Sequence, residues 1–144
     1  KPDRRQRQMC IRDRDIFIGC AAVSDFKPSK YSDKKIKKDD ISNIDLGLKK
    51  NKDILSFVAS NFISAYVVGF AAETDNVDTN AKKKLEAKNL DMIVSNDVSD
   101  KSIGFDVDDN EVNVYTKNNK FFLKKDKKIR IAREVLKIVA SNIN

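Results

Sequence analysis

The stretch DIFIGCAAVSDFKPSKYSDKKIKK, residues 15–38, indicates how this chain folds. It opens with an apolar run, residues 16–23, which is short enough to be a buried strand of a parallel sheet. Pro28 follows and is expected to stop further regular pairing. A lysine cluster, residues 34–38, closes the stretch. Because the carboxyl end of this strand leads to Asp25 and then to the lysines, the pattern predicts an anion site at the carboxyl edge of a sheet.

The composition fits a globular chain and excludes several kinds of site. The 144 residues suffice for one hydrophobic core, and 29 Lys and Arg against 22 Asp and Glu give a net charge of +7. Such a surplus suits nucleic acid, an acidic membrane surface or small polyanions such as nucleotides. The sequence has no histidine, which excludes His-based triads, His general bases and His metal sites.

Two further features of the composition concern the compartment. Cys10 and Cys20 are the only cysteines, so a disulfide framework is not expected and a reducing cytoplasm fits. No apolar run approaches the ~18 residues that a membrane span needs, and no signal peptide is recognisable. A cytoplasmic protein is therefore predicted.

Residues 1–14, KPDRRQRQMCIRDR, differ from the rest of the chain. They are rich in arginine where the remainder uses lysine, and they hold neither a helical nor a strand period. Their MCIRDR end is similar to translated sequencing-adapter sequence, so we interpret the segment as an artefact or an unstructured tail. A basic arm for nucleic acid is the alternative. Residues 15–144 are predicted to form one domain, without an internal repeat or a linker.

Between residues 46 and 94 the sequence alternates strand and helix patterns. An amphipathic helix is predicted over residues 53–62, with Asp53 as its N-cap. A second helix follows, with either Asp75 or Asp78 as its N-cap. The short apolar or alternating runs around these helices are predicted strands, at residues 46–48, 66–72 and 92–94.

The last part of the chain has a different pattern. Two apolar runs, residues 105–107 and 112–115, flank the turn-rich cluster Asp108-Asp109-Asn110, which predicts a hairpin. A further strand is predicted at residues 121–123, and a helix at residues 127–143. The whole order predicts an α/β fold: a Rossmann-like, mostly parallel sheet with flanking helices, followed by a C-terminal β-ribbon and a covering helix.

No common phosphate or calcium fingerprint is present. Neither the GxGxxG dinucleotide pattern nor the P-loop pattern can be written from the available glycines, which are Gly19, Gly47, Gly69 and Gly104. Residues 106–117 imitate the start of an EF-hand loop, but Glu111 stands where that loop needs glycine, so the calcium interpretation fails. If a nucleotide binds, strand ends and lysines must hold it.

Two groups of lysines are candidate anion ligands. Lys84 and Lys88 stand four apart on one helical face, where like charges cost about 0.2–0.5 kcal/mol unless an anion lies between them. The lysines of residues 34–38 form a charge run, and such runs are usually solvated. From the residues alone, a solvated basic face is the favoured interpretation of both groups. Asp25 and Glu73, each at a predicted strand end, are explained equally well as ligands and as turn formers.

Five motifs in one order resemble the phosphopantothenate–cysteine ligase family, the synthetase half of a bifunctional coenzyme A biosynthesis protein: IFIGCAAVSDFKP, KIKK, NKDIL, VVGFAAET and KLEAKNLDMIVSNDVS. The resemblance implies a two-step reaction. The carboxylate of 4′-phosphopantothenate attacks the α-phosphate of CTP, which releases pyrophosphate and leaves an acyl-cytidylate. The amine of cysteine then displaces CMP and forms the amide. It also implies Mg²⁺, a homodimer with residues 26–38 near the subunit interface, and neither nucleic acid nor membrane as a partner.

The resemblance also implies which residues form the site. Lys35 matches the catalytic lysine of the KIKK motif, expected to contact the triphosphate and to support acyl-cytidylate formation. Asp25 matches an aspartate of the CTP site, which we assign to nucleotide or Mg²⁺ binding. Phe70 matches an aromatic that contacts the base. Lys84 and Lys88 match lysines that face the nucleotide, which reverses the solvated-face interpretation. The other nucleotide-binding residues are a floor of small residues and a turn that leads into a helix: Gly19, Cys20, Ala21 and Ala22, then Lys52, Asp53, Ile54 and Leu55.

The chain departs from the family pattern in two places. The family usually has proline at the position of Lys52, which affects the rigidity of the turn. Family members also carry a preceding half-domain with a strand, a glycine-rich turn and an asparagine for the second step, which residues 1–14 do not supply. The chain is therefore expected to be a C-terminal fragment that lacks the first strands of the sheet and does not ligate by itself. Whether a decarboxylase half was attached stays open.

Two other functions compete with the ligase interpretation. One is a generic Rossmann-like nucleotide-binding module whose ligand is not CTP. The other is a basic nucleic-acid binder, which rests on charge alone, because no RNP-type aromatic motif or base-reading basic helix is present.

Overall fold

A computed structural model describes residues 15–34, 45–99 and 107–143. Its strands are β1 (Ile16–Gly19), β2 (Phe26–Pro28), β3 (Leu48–Lys50), β4 (Tyr66–Glu73), β5 (Met92–Asp97), β6 (Asp109–Thr116) and β7 (Lys120–Lys127). Its helices are α1 (Ile54–Asn61), α2 (Val77–Ala87) and α3 (Lys128–Asn142). Of the described residues, 21–34 and 45–53 make up a smaller compact unit and the others a larger one.

The larger unit is built on a sheet with the strand order β1-β4-β5-β6-β7. β1, β4 and β5 are parallel, whereas β6 and β7 form an antiparallel ribbon that leaves β7 at one end of the described sheet. This order confirms the predicted α/β fold, with parallel strands first, flanking helices and a C-terminal β-ribbon.

Alternate side chains of the strands bury opposite faces of this sheet. On one face, α1 and α2 pack against a core that includes Val67, Ala71 and Ile93. On the other face, α3 packs against Val68 and Met92 through the apolar positions of its stripe, which are Ile131, Val135 and Val139. The helix predicted at the end of the sequence is thus confirmed, because an amphipathic stripe of this spacing needs one apolar surface to cover.

The end of α2 is a Schellman motif. Asn89 has a φ of 50°, and its N–H donates to the carbonyl of Glu86 at 3.0 Å. The N–H of Leu90 donates to the carbonyl of Leu85 at 2.9 Å. Both leucines are buried in the core beneath α2. The motif therefore satisfies the last carbonyls of the helix and ties its end to that core.

The start of α2 differs from the predicted aspartate cap. The N-cap residue is Asn76, which has a φ of 45° and makes no side-chain capping bond. Asp75 precedes it, and Asp78 lies in the first turn of the helix. The carboxylate of Asp78 accepts hydrogen bonds from Tyr115 and Lys120, so tertiary partners take the group that was expected to cap the helix.

Two strand predictions also need correction. β1 ends at Gly19 rather than at residue 23, and it is half-buried rather than buried. The hairpin predicted at Asp108-Asp109-Asn110 is wrong, because Asp109 and Asn110 begin β6, and the turn to β7 lies at residues 117–119. A cross-strand ion pair of 2.8 Å between Asp109 and Lys127 holds these polar residues in the ladder. Residues 105 and 106 of that prediction lie outside the described residues.

The smaller unit contains the antiparallel pair of β2 and β3. β2 ends at Pro28, as predicted, and β3 begins at Leu48, so the strand predicted at residues 46–48 lies further along the chain. The pair is closed by Ser29, whose N–H and hydroxyl both donate to the carbonyl of Gly47 at 2.8 Å. A Cβ on Gly47 would lie 2.8 Å from that hydroxyl oxygen, so glycine allows the close approach.

In the part of the chain that the structure describes, no helix is both long and apolar enough to cross a membrane.

Candidate functional site

The carboxyl ends of β1, β4 and β5 meet at one edge of the sheet in the larger unit. Ligands of open α/β sheets bind at this edge, beyond the ends of the strands. β1 stops at Gly19, which pairs with Gly69, whereas β4 continues to Glu73, which pairs with Asp97 of β5. The last residues of β4 therefore extend past the end of β1 and form the outermost part of the edge.

Glu73 is the buried acid of this edge, and the protein holds both of its carboxylate oxygens. The ammonium of Lys84 donates to Oε1 at 2.6 Å, and the amide of Asn80 donates to Oε2 at 3.3 Å. The same amide nitrogen also donates to the carbonyl of Asp75 at 3.0 Å. Glu73 is only 9% exposed, so a charged partner offsets the cost of burying its carboxylate.

The two lysines that the sequence paired, Lys84 and Lys88, differ in their positions. Lys84 belongs to the last turn of α2, and its side chain keeps 45% of its surface exposed beside Glu73. Lys88 is the C-cap residue, and its N–H donates to the carbonyl of Lys84 at 3.1 Å. Glu73 is thus a negatively charged partner for Lys84 within the protein itself. Contact of the two lysines with a nucleotide stays a prediction.

Phe70 lies in the second half of β4, one residue beyond the level at which β1 ends, and is 43% exposed. Side chains of β4 alternate between the two faces, with Ala71 in the core beneath α1 and α2 and Val68 in the core beneath α3. Phe70 therefore lies on the α3 face and Glu73 on the α2 face. A ligand that contacts both Phe70 and Lys84 must lie across the edge of the sheet rather than on one face of it.

Leu55 explains why two neighbouring strands carry glycine at the same level. A Cβ on Gly19 would lie 2.7 Å from Cδ2 of Leu55, and a Cβ on Gly69 would lie 2.9 Å from Cδ1 of Leu90 and 3.1 Å from Cδ1 of Leu55. The side chain of Leu55 thus packs over the paired glycines of β1 and β4. Its packing role is clear, whereas the predicted contacts of Gly19, Ile54 and Leu55 with a nucleotide stay predictions.

The other predicted site residues fall in several parts of the chain. Cys20 follows β1 in the larger unit and is exposed. The remaining described ones are exposed members of the smaller unit: Ala21, Ala22, Asp25, Lys52 and Asp53. Asp53 immediately precedes α1, in agreement with its predicted position before that helix. Lys35, the predicted catalytic lysine, lies outside the described residues.

The available donor groups decide how Mg²⁺ could be held. Among the described residues, no group of three or more Cys, Asp and Glu side chains is placed to hold a metal ion. Mg²⁺ in nucleotide sites usually takes one or two carboxylates, several waters and the phosphates of the substrate. The exposed carboxylate of Asp25 fits that mode as a single protein ligand.

A polar cluster that the sequence did not reveal lies on the α2 face. The hydroxyl of Tyr115 donates to Oδ1 of Asp78, and the ammonium of Lys120 donates to Oδ2 at 2.6 Å. The ammonium also lies 5.4 Å from the centre of the Tyr115 ring. The cluster joins the first turn of α2 to β6 and β7. Only the spacing of Tyr115 and Lys120 across the hairpin turn could have indicated it, and the misplaced hairpin concealed that spacing.

A comparison with known protein families agrees with the five sequence motifs. Residues 4–143 match the DNA/pantothenate metabolism flavoprotein C-terminal domain family. The chain belongs to this family. The match covers nearly the whole sequence, and together with the relatives described next it confirms the relationship to the bifunctional coenzyme A biosynthesis protein that the five motifs predicted.

Relatives in this family are longer proteins. The coenzyme A biosynthesis bifunctional protein CoaBC of Vibrio vulnificus strain YJ016 is 39% identical over 127 residues, which cover 87% of this chain and 32% of the relative. CoaBC of Bacillus subtilis strain 168 is 40% identical over 141 residues, which cover 96% of this chain and 34% of the relative. The chain thus spans about a third of the length of these curated relatives.

The fold of the family agrees with the fold described above. The crystal structure of the C-terminal domain of CoaBC superposes with a TM-score of 0.71 at 30% identity, and the match covers 94% of this chain and 58% of that chain. The edge with Glu73 and Lys84 is therefore a feature of a chain whose fold and family are both established.

Proposed function

We propose that this chain is part of a ligase of coenzyme A biosynthesis that joins cysteine to 4′-phosphopantothenate in a CTP-dependent reaction. The observation that carries the proposal is the carboxyl edge of β4, where Phe70 lies exposed on one face and a lysine stands beside a buried acid on the other. Family membership and the CoaBC relatives support the reaction.

The chemistry suits a site made of lysines without histidine. In the first step, a carboxylate oxygen of 4′-phosphopantothenate bonds to the α-phosphorus of CTP as the bond to pyrophosphate breaks. In the second step, the cysteine nitrogen bonds to the acyl carbon, loses a proton and displaces CMP. Transfer at phosphorus depends mainly on positioning and on neutralising the charge that develops, both of which lysines provide.

We assign the residues of this chain as follows. Lys35 contacts the triphosphate and supports acyl-cytidylate formation, and Lys84 with Lys88 binds phosphate oxygens. Phe70 contacts the base. The small-residue floor and the turn before α1 complete the nucleotide site through Gly19, Cys20, Ala21, Ala22, Lys52, Asp53, Ile54 and Leu55. When bound, Mg²⁺ would neutralise charge on the triphosphate, and Asp25 would be its protein ligand.

The setting of the enzyme is part of the proposal. We propose a cytoplasmic homodimer whose substrates are CTP, 4′-phosphopantothenate and cysteine. The dimer can be checked by light scattering after size-exclusion chromatography, where a monomer at every concentration would contradict it.

The deciding experiment titrates the chain with CTP, ATP and NAD in the presence of Mg²⁺. CTP should bind most tightly. Lys35→Gln should weaken CTP binding by about 10- to 100-fold, because one charge-assisted contact contributes about 1.5–3 kcal/mol. Lys124→Gln is the matched control and should bind as the wild type does, because it removes the same charge from an exposed residue of β7, which β5 and β6 separate from β4.

Two results would overturn the proposal. Equal affinity for CTP and ATP would favour a generic nucleotide-binding module. Failure to bind CTP, or a Lys35→Gln variant with unchanged affinity, would remove the proposed nucleotide site.

A further inference from the structure

Glu73 stands at the proposed nucleotide site, yet its negative charge should repel a triphosphate. Its side chain is 10% exposed, whereas that of its partner Lys84 is 45% exposed. The carboxylate is thus enclosed by protein, and the ammonium faces both the carboxylate and the solvent at the sheet edge. This asymmetry places the lysine, rather than the acid, within reach of a ligand.

We propose that Glu73 is a positioning residue that holds the ammonium of Lys84 in the orientation in which it meets the phosphates of the nucleotide. The inference rests on the function proposed above and adds a role for an acid that does not itself contact the substrate.

The geometry supports this role at both ends of the pair. An ammonium has three donor hydrogens, and the 2.6 Å bond to Oε1 uses one of them, so the others remain for a ligand on the exposed side. A lysine side chain in solvent samples many rotamers, and fixing it in one of them has an entropic cost. Glu73 fixes Lys84 before the ligand arrives, which reduces the cost that binding must meet.

Asn80 fixes the acid in turn. It donates to Oε2 of Glu73 at 3.3 Å and to the backbone carbonyl of Asp75 at 3.0 Å, so it links the carboxylate to the segment that leads into α2. Asn80 precedes Lys84 by one turn on α2, and the two residues approach the same carboxylate from one helix face. The acid, the amide and the ammonium therefore form one ordered unit at the end of β4.

The test compares CTP affinity, with Mg²⁺ present, across a double-mutant cycle of Glu73→Gln and Lys84→Gln. Glu73→Gln should weaken CTP binding by about 2- to 10-fold, the factor expected when one ordered side chain is released. In the Lys84→Gln background, Glu73→Gln should have no further effect on CTP affinity, because the ammonium that Glu73 positions is absent. A merely structural role for Glu73 would persist in that background.

Glu86→Gln is the matched control. Glu86 lies on α2 and is exposed, so the variant loses the same charge without the bond to Lys84. It should leave CTP affinity unchanged or slightly raised, since it removes one negative charge and leaves the bond between Glu73 and Lys84 in place. Circular dichroism and urea unfolding of each variant report whether the fold is kept. If Glu73→Gln does not fold, Asn80→Ala takes its place in the cycle, because it removes the bond of Asn80 to the carboxylate, together with its bond to the carbonyl of Asp75, and keeps the charge of Glu73.

The outcomes separate this inference from the proposed function. A wild-type chain that does not prefer CTP to ATP and NAD overturns both. A wild-type chain that prefers CTP, with a Glu73→Gln variant of equal affinity, overturns the positioning role alone. Tighter binding by Glu73→Gln also overturns it, because Glu73 would then compete with the nucleotide for Lys84. When Asn80→Ala replaces Glu73→Gln, an Asn80→Ala variant that binds CTP as tightly as the wild type likewise overturns the positioning role.

Discussion

Tyr115 places its ring in the core beneath α2 and its hydroxyl against a carboxylate in the first turn of that helix. Burial raises the pKa of Tyr115, and the hydrogen bond to Asp78 raises it further. The hydrogen bonds from Lys120 and Tyr115 lower the pKa of Asp78. The free energy of unfolding should therefore depend on pH at both acid and alkaline pH because of this pair.

The acid side of this dependence belongs to Asp78. Its folded-state pKa is below the unfolded value, so the carboxylate contributes stability above about pH 4 that is lost as the pH falls through the folded pKa. The free energy of unfolding should therefore differ most between wild type and Asp78→Asn near neutral pH, and the difference should shrink below about pH 4. Urea unfolding over a pH series measures it.

Asp33→Asn is the control for that series, since Asp33 is an exposed carboxylate of the smaller unit. A difference between wild type and Asp78→Asn that stays constant from neutral to acid pH would contradict the prediction.

On the alkaline side the change of stability with pH has the opposite sign. Tyr115 contributes stability below the unfolded pKa of about 10, which is lost as the pH rises above it, so Tyr115→Phe should flatten the alkaline decline.

Single residues also show where inference from sequence ends. The resemblance predicts that Gly19 and the three small residues after it lie beneath a nucleotide. The structure shows that Gly19 and Gly69 make room for Leu55, since a Cβ on Gly19 would lie only 2.7 Å from that side chain. A ligand and a packed leucine both require the absence of a Cβ, so the sequence cannot distinguish between these two reasons.

At the scale of secondary-structure elements, the two ends of α2 are held differently. The start depends on the Asp78 cluster rather than on a local cap, whereas the end carries the Schellman motif with Asn89 in the left-handed region. Glycine adopts that region without strain, and asparagine does so more easily than other residues with a side chain.

Asn89→Gly should therefore leave the free energy of unfolding unchanged or raise it by up to about 1 kcal/mol. Asn89→Val should lower it by about 1–2 kcal/mol, since a β-branched side chain is strained at this φ. Urea unfolding of both variants tests this. Ala132→Gly is the control, because Ala132 is exposed in the interior of α3 and glycine there should cost about 0.5–1 kcal/mol. Equal losses from the two glycine substitutions would refute the conformational argument.

The sequence predicted secondary-structure elements best where apolar residues recur regularly over a long segment and all pack against one face of the core. α1 and α3 lie within about one residue of their expected bounds, α2 occurs where a helix without stated bounds was predicted, and β4 and β5 are the predicted apolar runs. The prediction failed where partners distant in sequence decide. Asp109 and Asn110 have turn chemistry, yet the pairing of Asp109 with Lys127 keeps them in a strand. No local pattern carries that information.

At the scale of the whole molecule, the residues that the resemblance singles out occur in each of the two compact units. Gly19, Phe70 and Lys84 belong to the larger unit, and Asp25 and Lys52 to the smaller one. The extent of the predicted ligase domain, residues 15–144, and the tail at residues 1–14 stay predictions. These residues were identified by their match to family motifs. They are far apart in the sequence, so no helical or strand periodicity could have indicated that they belong to one site.

The net charge of +7 makes nucleic acid the competing partner at this scale. Contacts that are purely electrostatic weaken steeply with salt, so any binding of duplex DNA at ~50 mM salt should be lost by ~200 mM. Fluorescence anisotropy of a labelled duplex measures this, with a second duplex of unrelated sequence as the control. Retention of one duplex but not the other at ~200 mM would establish base-specific recognition and contradict the prediction.

The position of β7 at the end of the described sheet has a consequence for self-association. An outer strand presents unpaired N–H and C=O groups that can template the addition of a strand from another molecule, and Phe122 on β7 is 52% exposed. The sequence of β7, KFFLKKDK, opposes this in a parallel, in-register pairing, because each lysine would then lie against the same lysine of the second copy. Chemical acetylation of these lysines would neutralise that repulsion, and the outer strand would then favour fibrillar aggregation.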